Sequence, residues 1–236
     1  MSAEHATIAE EEYLQTLFWL HEAGLAMTGA NVARAMQLSA PTVHEMIGRL
    51  ERDGYISRSS NKTISFTESG REHAEGIVRR HRLIERFLTD VLGIPWDEVH
   101  EEAERLEHAM SPVLEERMMA AIGGAKTCPH GHPITPGSRI EGVPLKDVEP
   151  GAKVTILRFE NEAEDLLHDL KAAGLEPGLQ GTLADRGDDV VVDAGGRRVS
   201  VTASVAETVS VIADPSPPQR IALPEQLVLA KDRYGR

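Results

Sequence analysis

Three segments far apart in the chain carry histidines and carboxylates whose spacing forces their helices to meet. They are Glu12 within AEEEYLQT, His81 and Glu85 within RRHRLIERFL, and His100, Glu104, Glu107 and His108 within VHEEAERLEHAM. At about 100° per residue the last four project at about 0°, 40°, 340° and 80°, one stripe of a helix. His81 and Glu85 form an i, i+4 pair on another helix. Imidazoles and carboxylates converging in this way bind divalent cations well, and the donor types select the cation. The competing reading is a solvated acidic helix face, which does not explain why such residues recur on three segments.

Composition sets the frame. A chain of 236 residues can bury a sizeable core and is expected to hold two or three small domains. No apolar run is long enough to cross a bilayer, and MSAEHATIAEEE lacks the basic and apolar regions of a signal peptide. A single cysteine excludes an intramolecular disulfide framework and fits a reducing cytoplasm. The net charge of −13 argues at first against nucleic acid, because affinity for DNA comes largely from cations on phosphate. Local charge matters more. Between residues 25 and 66, Arg34, Arg49, Arg52, Arg58 and Lys62 face Glu45, Glu51 and Asp53, a balance of +2.

That basic stretch has a pattern of its own. Residues 7–23 read as a helix ended by Gly24, and residues 29–36 as a short second helix with Ala30, Val32, Ala33 and Met36 inward. Ser39 then stands as an N-cap, Pro41 falls in the first turn, and Val43, Met46, Ile47 and Leu50 form an apolar face. Two short helices joined by Gln37-Leu38-Ser39 make a helix-turn-helix. Residues 55–58 and 63–66 alternate around the polar turn Ser59-Ser60-Asn61-Lys62, which reads as a β-wing. Any three-helix core with a hairpin is the blander alternative.

Thr67 caps a longer helix expected to reach Leu92. Pro95 opens another expected to reach Met110, and Ser111-Pro112 starts a third ending at Ile122. Ile84, Phe87, Leu88, Val91, Leu92, Met118, Met119 and Ile122 are expected to bury against a second copy, with ordinary packing inside the chain as the alternative. Residues 123–139 form a Gly/Pro-rich connector with Cys128, His130 and His132. Beyond it come short β segments at 154–157, 181–183, 190–192, 199–201 and 207–212, with a helix over 162–173. Five short strands and one helix in such a span predict a small β-barrel of SH3 type. A segment over 221–236 reads as a short amphipathic tail.

These residues resemble the diphtheria toxin repressor family of metal-dependent transcriptional regulators, over almost the whole chain. Ser39-Ala40-Pro41-Thr42-Val43 with Arg49-Leu50-Glu51-Arg52-Asp53-Gly54 is similar to that family's recognition helix. Arg80-His81-Arg82-Leu83 with Glu85, and residues 97–103 with Glu107-His108, resemble its dimerisation helices and metal ligands. Leu145-Lys146-Asp147-Val148-Glu149-Pro150-Gly151 and Gly174-Leu175-Glu176-Pro177-Gly178 resemble its SH3-like domain. The resemblance implies an α+β chain: a winged helix-turn-helix over 1–72, a helical dimerisation and metal-binding domain with connector over 73–139, an SH3-like (FeoA-like) domain over 140–213, and a tail over 214–236.

It also implies a metal. Iron-responsive members place methionine where this chain has Glu12 and cysteine where it has Glu104, whereas manganese-responsive members place carboxylates at both. Mn²⁺ prefers oxygen donors and sits low in the affinity order, so such a set disfavours softer competitors. The expected primary site is Glu12, His81, Glu104, Glu107 and His108, holding Mn²⁺. Gln15 stands where small manganese regulators have a ligating glutamate, which speaks against their closely spaced binuclear pair. A second site is expected from Glu85, Cys128, His130 and an acid of the C-terminal domain, Asp165 ahead of Glu162 and Glu164. His100 serves the equivalent site of iron-responsive members, and a thiolate there admits Zn²⁺. A plain thiol is the alternative for Cys128.

In operator DNA, Ser39, Pro41, Thr42, His44 and Glu45 would face the major groove, while Arg49, Arg52, Arg58 and Lys62 meet phosphate or the minor groove. The expected protein is a cytoplasmic manganese-dependent repressor of metal-uptake genes, bound to double-stranded operator DNA as a homodimer or as two dimers. An iron- or zinc-responsive regulator on the same scaffold is the alternative. A metalloenzyme is remote, because HExxH, a phosphate loop and a nucleophile elbow are all missing.

Overall fold

The structure is a computed structural model that describes residues 6–214. Helix α1 (Ile8–Glu22) opens on a capping box: the Thr7 hydroxyl accepts from the Glu10 N–H, and the Glu10 carboxylate accepts from the Thr7 N–H at 2.7 Å. Thr28 caps α2 (Gly29–Ala35), and Ser39 caps α3 (Ala40–Arg52) with Pro41 in its first turn, as expected. Strands β1 (Ile56–Arg58) and β2 (Ile64–Phe66) pair antiparallel with Ile56 opposite Phe66. Leu14 and Leu17 of α1, Val32 of α2, Val43, Ile47 and Leu50 of α3, and Ile56 and Ile64 of the hairpin bury one another in a single core. This is a winged helix-turn-helix in which α1 lies directly behind the recognition helix.

Helix α4 (Glu68–Asp90), capped by Thr67, is the beam of the molecule. Its first half adds Ala74, Ile77 and Val78 to the winged-helix core. Its second half puts Leu83, Ile84 and Leu88 into another, with Val99 and Ala103 of α5 (Val99–Glu107) and Met118 of α6 (Pro112–Ala121). Gly70 lets it lie against the wing, since a Cβ there would sit 1.8 Å from the Tyr55 carbonyl oxygen.

Two expectations change here. Helix α5 begins at Val99 rather than Pro95, because residues 95–98 close a turn through Glu98 N–H to the Pro95 carbonyl at 2.9 Å. It ends at Glu107, with His108 as a C-cap still in helical conformation. The apolar set assigned to a second copy also divides. Ile84, Leu88, Met118 and Ile122 are buried within the chain, while Val91 and Leu92 are exposed together with Val113 and Leu114 on α6. Helix–helix packing alone satisfies the first group.

The C-terminal unit is an antiparallel sheet in the order β3-β8-β4-β5-β6-β7. Its strands are β3 (Val143–Pro144), β4 (Lys153–Phe159), β5 (Gln180–Arg186), β6 (Asp189–Ala194), β7 (Arg197–Thr202) and β8 (Val209–Asp214), with α7 (Glu164–Ala173) and α8 (Ala203–Glu207). Val154, Ile156, Phe159, Leu167, Leu170, Leu183, Val192 and Val211 fill its interior. The strand expected from Glu207 starts at Val209, because Thr202 caps the short α8 across residues 203–207. The expected tail segment lies outside the described residues.

This unit docks on the helices at two places. Trp96 packs into its core, and Asp97 pairs with Lys171 and, at 3.5 Å, His168 of α7. The connector lies along the end of β4, where Phe159 N–H donates to the His130 carbonyl at 3.0 Å and His132 Nε2 donates to the Phe159 carbonyl at 2.7 Å. Gly131 permits that approach. Its φ is +95°, and a Cβ would lie 2.0 Å from the Leu157 carbonyl oxygen. Gly131→Ala is therefore expected to cost about 2–3 kcal/mol or more in denaturant unfolding, whereas Gly137→Ala, with open space around it, costs about 1 kcal/mol.

Candidate metal centre

His81 sits at the junction of the converging segments and is buried. Its Nδ1 donates to Glu107 Oε2 at 2.6 Å, and its Nε2 lies 3.0 Å from Glu85 Oε1 and 3.1 Å from His100 Nδ1. Trp19 of α1 covers it edge-on, with ring centroids 5.6 Å apart. Burial alone would strip its proton, but the flanking charges of Glu85 and Glu107 win and hold its pKa well above the ordinary histidine range.

On the α1 side, Glu107 Oε2 also accepts from Gln15 Nε2 at 3.1 Å. His108 Nε2 lies 3.3 Å from Glu107 Oε1, and its Nδ1 donates to Glu11 Oε2 at 2.6 Å. Burial raises the Glu11 carboxyl, but bonds from His108 and His73 and the charge of Arg80 outweigh it and hold the group at about 2. Glu12 is close enough to add its charge to those keeping His108 protonated, and it also lines a groove against α3 with Thr42, Glu45 and Arg49. Glu104 Oε1 reaches only His100 Nε2, at 3.7 Å. The five residues expected as a primary site thus share one region. Among the described residues, however, they do not form one group with every donor atom within 4.8 Å.

On the barrel side the convergence is tighter. His81, Glu85, His100 and Glu162 form one group with all donor atoms within 4.8 Å of each other, and Glu85, Cys128, His130 and Glu162 form another. His81, placed in the primary set from the sequence, falls with the first of these. The acid of the C-terminal unit that lies in both groups is Glu162, whereas the expected Asp165 lies in neither. Asp165 is exposed at the start of α7, with its carboxylate on the Leu166 N–H, whereas Glu162 precedes that helix and points inward. His100 is pushed up to about 10: burial opposes its charge, and hydrogen bonds to Glu162 and Glu85 overcome that. Burial and the nearby Glu85 charge raise the Glu162 carboxyl, but His130, the hydrogen bond from His100 and His132 outweigh them and hold it at about 2. Burial and the Glu85 charge push the Cys128 thiol up to about 11, so it stays protonated until a cation displaces its proton.

Glu85 Oε2 and His132 Nδ1 are buried without a hydrogen-bond partner, while Glu107 Oε1 and His130 Nδ1 have only the longer ion-pair contacts of such a cluster, among them those with His108 and Glu85, each at 3.3 Å. Buried polar atoms are normally satisfied, and bare donor atoms that face one another in a His/Cys/carboxylate cluster fit a divalent cation. The backing is also that of a metal site. A carbonyl can only accept, so the 2.7 Å bond from His130 Nε2 to the Trp96 carbonyl fixes a proton there and turns Nδ1 inward, where a cation would take the place of the second proton that, against burial, Glu85 and Glu162 favour.

The residues expected to face DNA lie where the capped helix presents them. Ser39, Pro41, Thr42, His44, Glu45 and Arg52 are exposed along α3, and Lys62 is exposed at the hairpin tip with φ +65°. The Ser39 and Thr42 hydroxyls are bonded to each other at 2.8 Å. Arg49 is held by Glu10 at 2.9 Å, and Arg58 by Glu51. Those two cations must leave, or share, an internal partner to reach phosphate.

A winged helix whose first helix reaches into a buried His/Cys/carboxylate centre, closed by a small β-barrel, defines a metal-dependent DNA-binding regulator. The comparisons agree. The iron dependent repressor N-terminal DNA binding domain matches residues 6–64, the iron dependent repressor metal binding and dimerisation domain residues 67–136, and the FeoA domain residues 143–213. The iron-dependent repressor IdeR of Mycobacterium leprae is 32% identical over 220 residues, covering 85% of this chain and 95% of its own. The diphtheria toxin repressor of Corynebacterium diphtheriae is 32% identical over 217 residues, with the same coverages. Among solved structures, a manganese-dependent transcriptional repressor in complex with manganese superposes with TM-score 0.77 at 30% identity, covering 86% of this chain and 99% of that one.

The chain belongs to the iron-dependent repressor family of metal-dependent transcriptional repressors, which bind operator DNA as dimers. That is a family of regulators rather than enzymes. No helix of the described residues is long and apolar enough to cross a membrane.

The shifts at the centre set a pH dependence for the metal-free protein. His100, raised from 6.5 to about 10, adds stability that is fully present below about pH 6.5 and is lost as pH rises through about 10. Glu162, lowered from 4.5 to about 2, adds stability present above about pH 4.5 and lost as pH falls through about 2. Urea unfolding of the metal-free chain is expected to weaken between pH 6.5 and 10, and His100→Gln is expected to flatten that limb. An unchanged slope in the variant would show that His100 is not the titrating group.

Proposed function

We propose that this protein is a manganese-responsive repressor that binds operator DNA as a homodimer and controls metal-uptake genes in the cytoplasm. The observation that carries this reading is the chemistry of Glu12 and Glu104, which make the region around Glu107 and His108 a set of oxygen and nitrogen donors without sulfur. The manganese complex among the structural relatives supports it. The iron-dependent relatives favour Fe²⁺ as the second reading, and the Cys128 thiol keeps Zn²⁺ open for the cluster it joins.

In this reading Glu12, Glu104, Glu107 and His108 hold the primary cation, and His81, Glu85, His100, Cys128, His130 and Glu162 serve the second region. Bound there, the cation supplies positive charge that protons and hydrogen bonds otherwise provide. The chain's own residues carry the consequence. Glu12 and Gln15 ride on α1, whose Leu14 and Leu17 pack in one core with Val43, Ile47 and Leu50 of α3. Fixing α1 against α4 and α5 therefore fixes α3. Exposed Val91, Leu92, Val113 and Leu114 supply apolar surface for the partner copy, which sets the spacing of the two recognition helices. We place the domain boundaries after residues 72, 139 and 213.

Fluorescence anisotropy on labelled operator, with Mn²⁺, Fe²⁺, Zn²⁺ and Co²⁺ titrated separately under anaerobic conditions, tests the assignment. Mn²⁺ is expected to drive binding, and Glu104→Ala to raise the Mn²⁺ required by roughly tenfold to a hundredfold. An unchanged Mn²⁺ requirement in the variant would refute the primary site. Activation by Fe²⁺ at lower concentrations than Mn²⁺ would replace manganese with iron.

A further inference from the structure

The two tight groups share two carboxylates, and that sharing has a geometry. Glu162 turns a different oxygen to each: Oε2 lies 3.3 Å from His100 Nδ1, while Oε1 lies 3.5 Å from His130 Nδ1. Glu85 Oε1 lies 3.2 Å from His100 Nδ1 and 3.3 Å from His130 Nδ1, and its Oε2 is buried without a hydrogen-bond partner. Glu85 is wholly buried, as are Cys128 and His130. The imidazoles come from different elements and fall in different groups, His81 and His100 from α4 and α5 in one, and His130 with Cys128 from the connector in the other.

We propose that this region holds a pair of divalent cations rather than one, with Glu85 and Glu162 bridging them. His81 and His100 complete one position, and Cys128 and His130 the other. A carboxylate that presents separate oxygens to two donor sets is the arrangement by which paired metal sites hold ions about 3.5–4 Å apart. One cation could draw on only part of this donor set, leaving either the His81–His100 pair or the Cys128–His130 pair buried and unused. The donors differ in softness. The position with the Cys128 thiolate suits Zn²⁺ or Co²⁺ better than its all-imidazole-and-carboxylate neighbour, which suits Mn²⁺. The pair would join the barrel to α4 and α5, since Glu162 comes from the C-terminal unit and the remaining donors from the helices and connector.

The inference rests on the metal-responsive reading above, and the test separates the two. The full-length protein is freed of metal, loaded with Mn²⁺, and measured by electron paramagnetic resonance alongside metal counting by native mass spectrometry. A bridged pair is expected to give an exchange-coupled manganese signal and, with the primary cation, three bound ions, of which Glu162→Gln or Glu85→Gln removes two together. Cobalt titration should add a thiolate-to-cobalt charge-transfer band, lost in Cys128→Ser while one ion remains in the region. Two magnetically isolated ions in wild-type protein, or one, would overturn the pair and leave the metal-dependent repressor intact. Failure to bind any metal would overturn both.

Discussion

His81, clamped between Glu107 and Glu85 with both ring nitrogens engaged in a dry interior, is the interaction on which the rest of the structure depends. Through Glu107 it meets Gln15 of the DNA-binding unit, and through Glu85 it meets His130 of the connector, which in turn meets Glu162 of the C-terminal unit. A group of buried charges like this is costly to assemble, because each ion gives up several kcal/mol of hydration that only good geometry and hydrogen bonding offset. Here the compensation is incomplete, since Glu85 retains an oxygen without a hydrogen-bond partner and Glu107 Oε1 has only a 3.3 Å contact with His108. A cluster of that kind adds little to stability by itself and responds strongly to a cation. Its metal binding is therefore coupled to the packing of the segments that supply the donors.

The scaffold carries that response outward. Arg82, buried on α4, pairs with Glu22 at the end of α1 and donates to the Pro133 carbonyl of the connector at 3.0 Å. Helix α1 thus has two attachments to the sensing region, one at Gln15 and one at Glu22, while its apolar face is part of the recognition-helix core. A displacement of α1 cannot leave α3 in place without opening that core, where Leu14, Leu17 and Leu50 have no exposure.

Local chemistry made part of this legible from the sequence. Ser39 as a cap, Pro41 in the first turn and alternation around Ser59–Lys62 locate the recognition helix and wing with no knowledge of tertiary contacts. The donors on α4 and α5 were legible for the same reason, since helical spacing puts them on one stripe. What failed was ranking acids that are neighbours in sequence. Glu10, Glu11 and Glu12 point roughly 100° apart on one helix. Glu10 takes the cap and Arg49, Glu11 takes His108, and nothing local says which faces which partner. A helix read over 162–173 carries both Glu162 and Asp165, but α7 begins at Glu164, which leaves Glu162 in the preceding turn and aims it inward. His132 was noted without a role, and its bond to the Phe159 carbonyl depends on the connector meeting β4, a pairing of remote segments.

The central claim is that the donor cluster and the DNA-reading surface share one equilibrium through α1. Linkage makes this testable in the reverse direction, because a ligand that tightens DNA binding must itself be tightened by DNA to the same degree. The direct measurement is the Mn²⁺ dissociation constant of the full-length protein by isothermal titration calorimetry, with and without saturating operator duplex at fixed salt. The account predicts that operator lowers that constant by the same factor by which saturating Mn²⁺ lowers the operator constant. A Mn²⁺ affinity indifferent to operator would contradict it.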